Sequence, residues 1–180
     1  MMSRTNPYKK KRREAKKTIL LYCEGSDDKT FLNYLKELFA RDSGVFVNIK
    51  ENHGGEANGV LRGVLKQIKA DIMVCIYDID TGVDIALKQK VKKQDILCIE
   101  NSPCLESLLL TILEKEKDYS NYQKCNQCKK IFESKYLDKK KRKNKRNYAK
   151  FFPKKLLIQK AKTIENLKIL IDLINGNYDS

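Results

Sequence analysis

Short runs rich in apolar residues alternate along the chain with stretches in which apolar residues recur every three or four positions. The runs are TILLYC (18–23), GVFVNIK (44–50), DIMVCIYDID (71–80) and DILCI (95–99). Such runs are typical of buried strands, and the periodic stretches are typical of amphipathic helices. The alternation therefore predicts an α/β fold of the Rossmann-like kind: a mostly parallel four-stranded sheet flanked by helices.

Helices are predicted between and after these strands. Ser26 or Asp27 is expected to cap the first helix, and a short third helix is expected at 84–92. In NSPCLESLLLTIL (101–113) Ser102 is the expected cap and Pro103 the first helical residue. The residues predicted to form the apolar faces of the first two helices are Phe31, Leu35, Leu38, Phe39, Val60, Leu61, Val64, Leu65 and Ile68.

Composition divides the chain into four parts. Residues 1–17 form a basic arm, and 18–115 contain all the predicted strands. Residues 116–150 form a lysine-rich insert, for which an ordered unit and a loose loop are both compatible with the sequence. In the last part, 151–180, the stretch 151–174 predicts a single helix that packs back on the sheet.

The charge balance adds a partner class to this picture. The chain has 38 Lys and Arg against 23 Asp and Glu, a net charge of +15. That excess favours a polyanionic partner, nucleic acid first and a membrane surface second. No apolar run approaches the ~18–20 residues of a membrane span, and none behind the N-terminus suits export. Six cysteines in strands and polar segments fit reduced thiols, and the cytoplasm is the expected location.

Carboxylates follow two of the predicted strands directly. Glu24 comes after the first strand, and Asp78 and Asp80 end the third. Because ligands gather at the carboxyl ends of parallel strands, these side chains are expected to meet at one sheet edge. Asp28 and Glu106, each near the start of a helix, are expected to face the same spot.

A divalent cation is the usual compensation for carboxylates held close together. Mg²⁺ or Mn²⁺ is the predicted cofactor, because both prefer hard oxygen ligands. Glu24, Asp78 and Asp80 are the predicted metal ligands, with the two aspartates on one face if their backbone stays extended. The alternative is that these aspartates only cap helices and shape turns.

The segments ILLYCEG and YDID resemble the Toprim domain of topoisomerases, primases and several nucleases, with Glu-Gly after the first strand and Asp-x-Asp after the third. CEGSDDKTFLNYL and NSPCLESLLL resemble its RloB-like branch more closely, over roughly residues 18–115. The resemblance implies a Toprim-like core that cuts nucleic acid, often within bacterial defence or restriction loci. It assigns catalytic roles to five positions: Glu24, Asp28, Asp78, Asp80 and Glu106.

The chain also departs from the RloB-like pattern. Leu105 and Ser107 replace aromatic residues expected around Glu106, and Ile112 stands where a histidine is common. His53 is the only histidine in the chain, and its glycine-flanked loop is expected either to approach phosphate or to be an ordinary loop. Any role of the family histidine is therefore absent or supplied from elsewhere.

The insert carries two further motifs. CNQC places Cys125 and Cys128 at zinc-ligand spacing, like half of a zinc knuckle, with free thiols as the alternative. Cys98, Cys104 or His53 could complete a zinc site, as could a second subunit, which would make the protein a homo-oligomer. The basic tract is expected to bind phosphates of nucleic acid through Lys139, Lys140, Lys141, Arg142, Lys143, Lys145 and Arg146.

Two functions are compatible with these sequence features. The first is a metal-dependent nuclease acting on DNA or RNA. The second is a nucleic-acid-binding or complex-forming module that serves a partner such as an ATPase. No Walker A motif is present, so ATP would have to come from that partner.

Overall fold

Four parallel strands form the sheet predicted from the sequence. The computed structural model describes residues 17–114, 117–122 and 124–178. The strands are β1 (Lys17–Cys23), β2 (Val45–Glu51), β3 (Ile72–Asp78) and β4 (Ile96–Asn101), in the order β2-β1-β3-β4. All three pairings are parallel, so the α/β prediction is confirmed. This order makes β1 and β3 central neighbours, which places the carboxyl ends of both strands side by side.

Helices cover both faces of the sheet. They are α1 (Ser26–Phe39), α2 (Ala57–Val64), α3 (Ile85–Lys92), α4 (Leu105–Leu113), α5 (Cys125–Lys135), α6 (Lys154–Lys160) and α7 (Glu165–Asn175). Side chains alternate along β1: Ile19 and Leu21 join the core under α1, α4 and α7, whereas Leu20 and Tyr22 join the core under α2. Burial on both faces explains why TILLYC has so few polar positions.

Two predicted helix starts are wrong by a few residues. The N-cap of α1 is Gly25 rather than Ser26 or Asp27, and the Asp28 carboxylate accepts a hydrogen bond from the Gly25 N–H. Helix α4 begins at Leu105 with Cys104 as its N-cap, after a cis Ser102–Pro103 peptide. Tertiary contacts explain the later start, because the carbonyls of residues 101 and 103 both accept from the Ile79 N–H.

The structure also corrects two further details of the helices. Helix α2 ends at Val64, and Ile68, predicted on its apolar face, is 87% exposed. The predicted helix 151–174 is instead two helices, α6 and α7, separated by a turn at 161–164. Hydrogen bonds on each side of the turn fix the orientations of α6 and α7. The Lys160 ammonium of α6 donates to carbonyls at the end of α4, and the Asn166 side-chain amide of α7 donates to the Glu100 carbonyl.

The described part of the insert, 117–122 and 124–150, is folded onto the core rather than loose. It comprises α5 and two 3-10 helices, Lys141–Lys143 and Lys145–Lys150. Tyr148 and Phe152 are fully buried against Phe31 of α1, and the Tyr34 hydroxyl donates to the Phe152 carbonyl over 2.7 Å. These aromatic rings therefore anchor the C-terminal part of the chain.

The basic arm predicted at 1–17 lies outside the described residues except for Lys17, which begins β1. Within the part of the chain that the structure describes, every helix is too short or too polar to cross a membrane.

Candidate metal and phosphate site

A pocket of about 600 Å³ lies at the carboxyl ends of β1 and β3. Glu24 and Asp78 stand next to each other in its wall, and the Asp78 N–H donates to Glu24 Oε2 over 3.3 Å. Asp28 and Glu106 line the same pocket. The structure thus brings together four of the five carboxylates that the sequence singled out, as expected for the edge of a parallel sheet.

Asp28 is a buried carboxylate with one oxygen unsatisfied. Its Oδ2 accepts from the Gly25 N–H over 3.2 Å, whereas Oδ1 is buried with no hydrogen-bond partner. Burial, together with the charges of Glu24 and Glu106, raises the pKa of Asp28 to about 7. Because an unpaired buried carboxylate oxygen is costly, this atom marks the place where a cation would be stabilised.

Asp78 is fixed in position by its neighbours on β4 and α4. Its Oδ1 accepts from the Asn101 side-chain amide over 3.2 Å and from the Leu105 N–H over 3.0 Å. Asn101 is its register partner on β4. Burial and the charges of Asp28 and Glu24 raise the pKa of Asp78 to about 9, and burial likewise raises the pKa of Glu24. The Asp78 carboxylate is thus held at the pocket wall by donors from β4 and α4.

Glu106 is paired with an arginine from the basic tract. The Arg142 guanidinium contacts Glu106 Oε1, and both side chains are 3–4% exposed. The same guanidinium lies 2.8 Å from Glu133 Oε1 and 3.3 Å from Asp27 Oδ2. Arg142, which the sequence assigned to nucleic-acid binding, is therefore buried, and its guanidinium is paired with carboxylates inside the protein.

Asp80 does not lie where an extended backbone would place it. Strand β3 ends at Asp78, and residues 79–82 form a turn closed by the Gly82 N–H and the Ile79 carbonyl. Asp80 is exposed and is absent from the pocket wall, although its charge contributes to the raised pKa of Glu24. The expectation of two aspartates on one face is wrong because the turn at 79–82 carries Asp80 away from the sheet.

The other predicted phosphate contacts are exposed side chains of the basic tract. Lys139 lines the pocket, and the side chains of Lys140, Lys143 and Arg146 are exposed. Lys141 is paired with Asp138 over 3.2 Å and Lys145 with Glu37 over 2.7 Å. The basic tract therefore borders the carboxylates directly.

Sequence reasoning missed one basic residue and left the place of His53 open. Lys129 of α5 lines the pocket, and although burial opposes it, the charge of Glu106 raises the pKa of Lys129. Only the CNQC motif nearby pointed toward this segment. His53, at φ 56°, also lines the pocket from its glycine-flanked loop.

A second group of metal-binding atoms adjoins the first. Single ligand atoms from Asp78, Cys104, Glu106 and Cys125 all lie within 4.8 Å of one another, and all four residues are buried. Cys104, which the sequence offered only as a distant candidate, is thus next to the CNQC motif. This cluster could hold a metal ion.

Comparison of the chain with protein-family models, with curated proteins and with solved structures found no match. A functional assignment therefore depends on the geometry of the site itself.

Proposed function

We propose that the protein is a Mg²⁺- or Mn²⁺-dependent phosphodiester hydrolase acting on nucleic acid. The observation that carries the proposal is the buried, unpartnered Oδ1 of Asp28 beside Glu24 and Asp78. The resemblance to Toprim nucleases supports the same function independently of this geometry.

The donor set fits a hard divalent cation. Seven carboxylates line the pocket against three basic side chains, so the pocket alone would repel a phosphate. Carboxylate oxygens from Glu24, Asp28 and Asp78 are the ligands that Mg²⁺ and Mn²⁺ prefer. When bound, such an ion supplies Lewis-acid polarisation of the phosphate and stabilises charge on the leaving oxygen.

The chain's own residues have distinct tasks in this proposal. Asn101 and the Leu105 N–H hold the Asp78 carboxylate in one orientation, and the Asp78 N–H holds Glu24 beside it. Lys129 presents a half-buried ammonium to the same pocket, where it would pair with a phosphate oxygen. Positioning and charge stabilisation account for most of what a phosphoryl-transfer site must do.

The basic tract would bring the polyanion to this pocket. Lys139 belongs to both, and the exposed Lys140, Lys143 and Arg146 extend the positive surface away from it. Each phosphate neutralised by such a side chain releases counterions and strengthens binding at low salt. Bacterial defence or restriction is the setting that the resemblance implies, and an ATPase or other product of such a locus would be the partner.

Cleavage of labelled DNA, tRNA and ribosomal RNA tests the proposal. We expect cleavage with Mg²⁺ or Mn²⁺ and none with a chelator. Glu24→Gln and Asp78→Asn should each lower the rate at least about a hundredfold, the scale of losing one group that stabilises developing charge. Glu165→Gln, an exposed carboxylate in the first turn of α7, is the matched control and should cleave normally.

The same experiment distinguishes the second candidate function. Tight, salt-dependent binding of nucleic acid without cleavage by the wild-type chain would favour a binding module. The ion pair between Arg142 and Glu106 is compatible with that function, because it neutralises Glu106 without a metal. Unchanged cleavage by both carboxamide variants would contradict the proposed site.

A further inference from the structure

We propose that Cys104 and Cys125, with the carboxylates of Asp78 and Glu106, form a binding site for Zn²⁺. The donor atoms of these four residues lie within 4.8 Å of one another and belong to three separate elements. Asp78 ends β3, Cys104 and Glu106 flank the start of α4, and Cys125 begins α5. The assignment depends on this donor set and not on the proposed hydrolysis.

The chemistry of the donors selects the metal. Two thiolates and two carboxylates form a mixed soft and hard set of four, the coordination number that Zn²⁺ adopts in proteins. Mg²⁺ and Ca²⁺ bind oxygen and have little affinity for sulfur. The thiols therefore distinguish this cluster from the all-oxygen group of Glu24, Asp28 and Asp78.

The surroundings of the thiols are not those of ordinary core cysteines. Cys104 and Cys125 are at most 4% exposed and belong to the apolar core, yet their sulfur atoms also lie within 4.8 Å of a buried carboxylate oxygen of Glu106. The Arg142 guanidinium pairs with Glu106 Oε1, whereas the hydrogen bonds to Asp78 Oδ1 come from the uncharged donors of Asn101 and Leu105. Zn²⁺ bound by the two thiolates and the two carboxylates would link β3, α4 and α5.

A zinc ion at this position has a structural consequence. It would join α5, the first helix of the insert, to the edge of the sheet through Cys125. The Asp78 carboxylate would be shared with the proposed Mg²⁺ or Mn²⁺ site, and carboxylates near two ions are common in two-metal hydrolytic sites.

Metal content of the purified full chain, prepared without a polyhistidine tag or chelator, tests the proposal. We expect one zinc per chain by elemental analysis and native mass spectrometry. Cys104→Ser and Cys125→Ser should each weaken zinc binding at least about tenfold. Cys98→Ser is the matched control: Cys98 lies on β4 outside the cluster, and its loss should leave the zinc content unchanged.

Two measurements on the wild-type chain keep the test decisive if the variants fold poorly. Co²⁺ added to the metal-free chain should give thiolate-to-cobalt charge-transfer absorption, and a chelator should make the protected thiols reactive. A chain that remains free of zinc after addition of excess Zn²⁺ would overturn the proposal, as would a Cys104–Cys125 disulfide in freshly purified protein. Loss of cleavage in Glu24→Gln with zinc retained would support the proposal, because Glu24 is outside the zinc cluster.

Discussion

The Glu106 carboxylate and the Arg142 guanidinium form an ion pair in which both side chains are 3–4% exposed. Glu106 belongs to α4 and Arg142 to a 3-10 helix of the insert, 36 positions later. The pair therefore fastens the insert to the candidate site and supplies the site with a fixed positive charge.

Replacing Arg142 should destabilise the fold strongly. Arg142→Gln leaves Glu106 buried without its cation, and removing one partner of a buried pair costs about 3–5 kcal/mol. Lys143→Gln, at the exposed neighbouring position, should change the unfolding free energy by about 0.5 kcal/mol or less. Urea unfolding measures both, and adding Glu106→Gln should recover part of the loss. Equal losses for Arg142→Gln and Lys143→Gln would argue against the pair's importance.

Asp28→Asn should stabilise the chain when no divalent cation is present. The amide keeps an acceptor for the Gly25 N–H and removes a buried charge that Glu24 and Glu106 repel. We expect a gain on the order of 1 kcal/mol, or about 2–4 °C in Tm for a chain of this size. Mg²⁺ should raise the Tm of the wild-type chain but not that of the variant. A Mg²⁺-dependent rise in both would place the ion elsewhere.

Phe152 should contribute to stability and not to nucleic-acid binding. Its ring is fully buried against Phe31 and Tyr148, so Phe152→Ala should cost about 3–5 kcal/mol. Phe46→Ala, at a position that is 57% exposed, provides the control and should cost far less. Thermal unfolding of both variants makes the comparison, and a small loss for Phe152→Ala would contradict its role as an anchor.

Cys98 should react with iodoacetamide at lower pH than an ordinary thiol. The Cys75 thiol donates to Cys98 Sγ over 3.4 Å and, with the positive charge of Lys92, lowers the pKa of Cys98 to about 7. Because the thiolate is the reactive form, the alkylation rate should rise through about pH 7 rather than about pH 8.5. Mass spectrometry after timed alkylation locates the label. Cys75→Ala removes the donor and should shift the pH profile upward.

The salt dependence of DNA binding should show whether the basic tract contacts the phosphates. Lys140 and Lys143 are exposed in the basic tract, and replacing both by Gln should reduce the slope of log K against log salt by about 1.8 for duplex DNA. Lys66 and Lys69, exposed between α2 and β3 at the opposite edge of the sheet, are the matched control. An equal effect of the two double variants would indicate a diffuse interaction.

The convergence of Glu24 and Asp78 could be predicted because it follows from topology. Two buried runs, each ending in carboxylates, must place them at the same edge once the strands are parallel. The position of Asp80 could not be predicted, because the apolar pattern that indicates a strand does not define the residue at which the strand ends. The turn closed by the hydrogen bond from the Gly82 N–H to the Ile79 carbonyl decides that point.

The burial of Arg142 could not be predicted from the sequence, for a different reason. In DKKKRKNKR every basic residue is locally equivalent, and only the tertiary position of Glu106 selects one of them for burial. The contact of Cys104 with the CNQC segment is likewise a long-range one. Local patterns define the elements, whereas such pairings depend on how those elements are assembled.

The folded insert also bears on whether the sheet edge is a self-contained module. Arg142 and Lys129 reach the acidic pocket, and Cys125 reaches the adjoining cluster with Cys104, from sequence positions that follow the last strand. A shortened chain that ended at Leu113 would retain the pocket carboxylates Glu24, Asp28, Asp78 and Glu106 but lose the basic side chains of Lys129 and Arg142. Transfer of these carboxylates to another protein scaffold would therefore require residues 125–142 to be transferred with them.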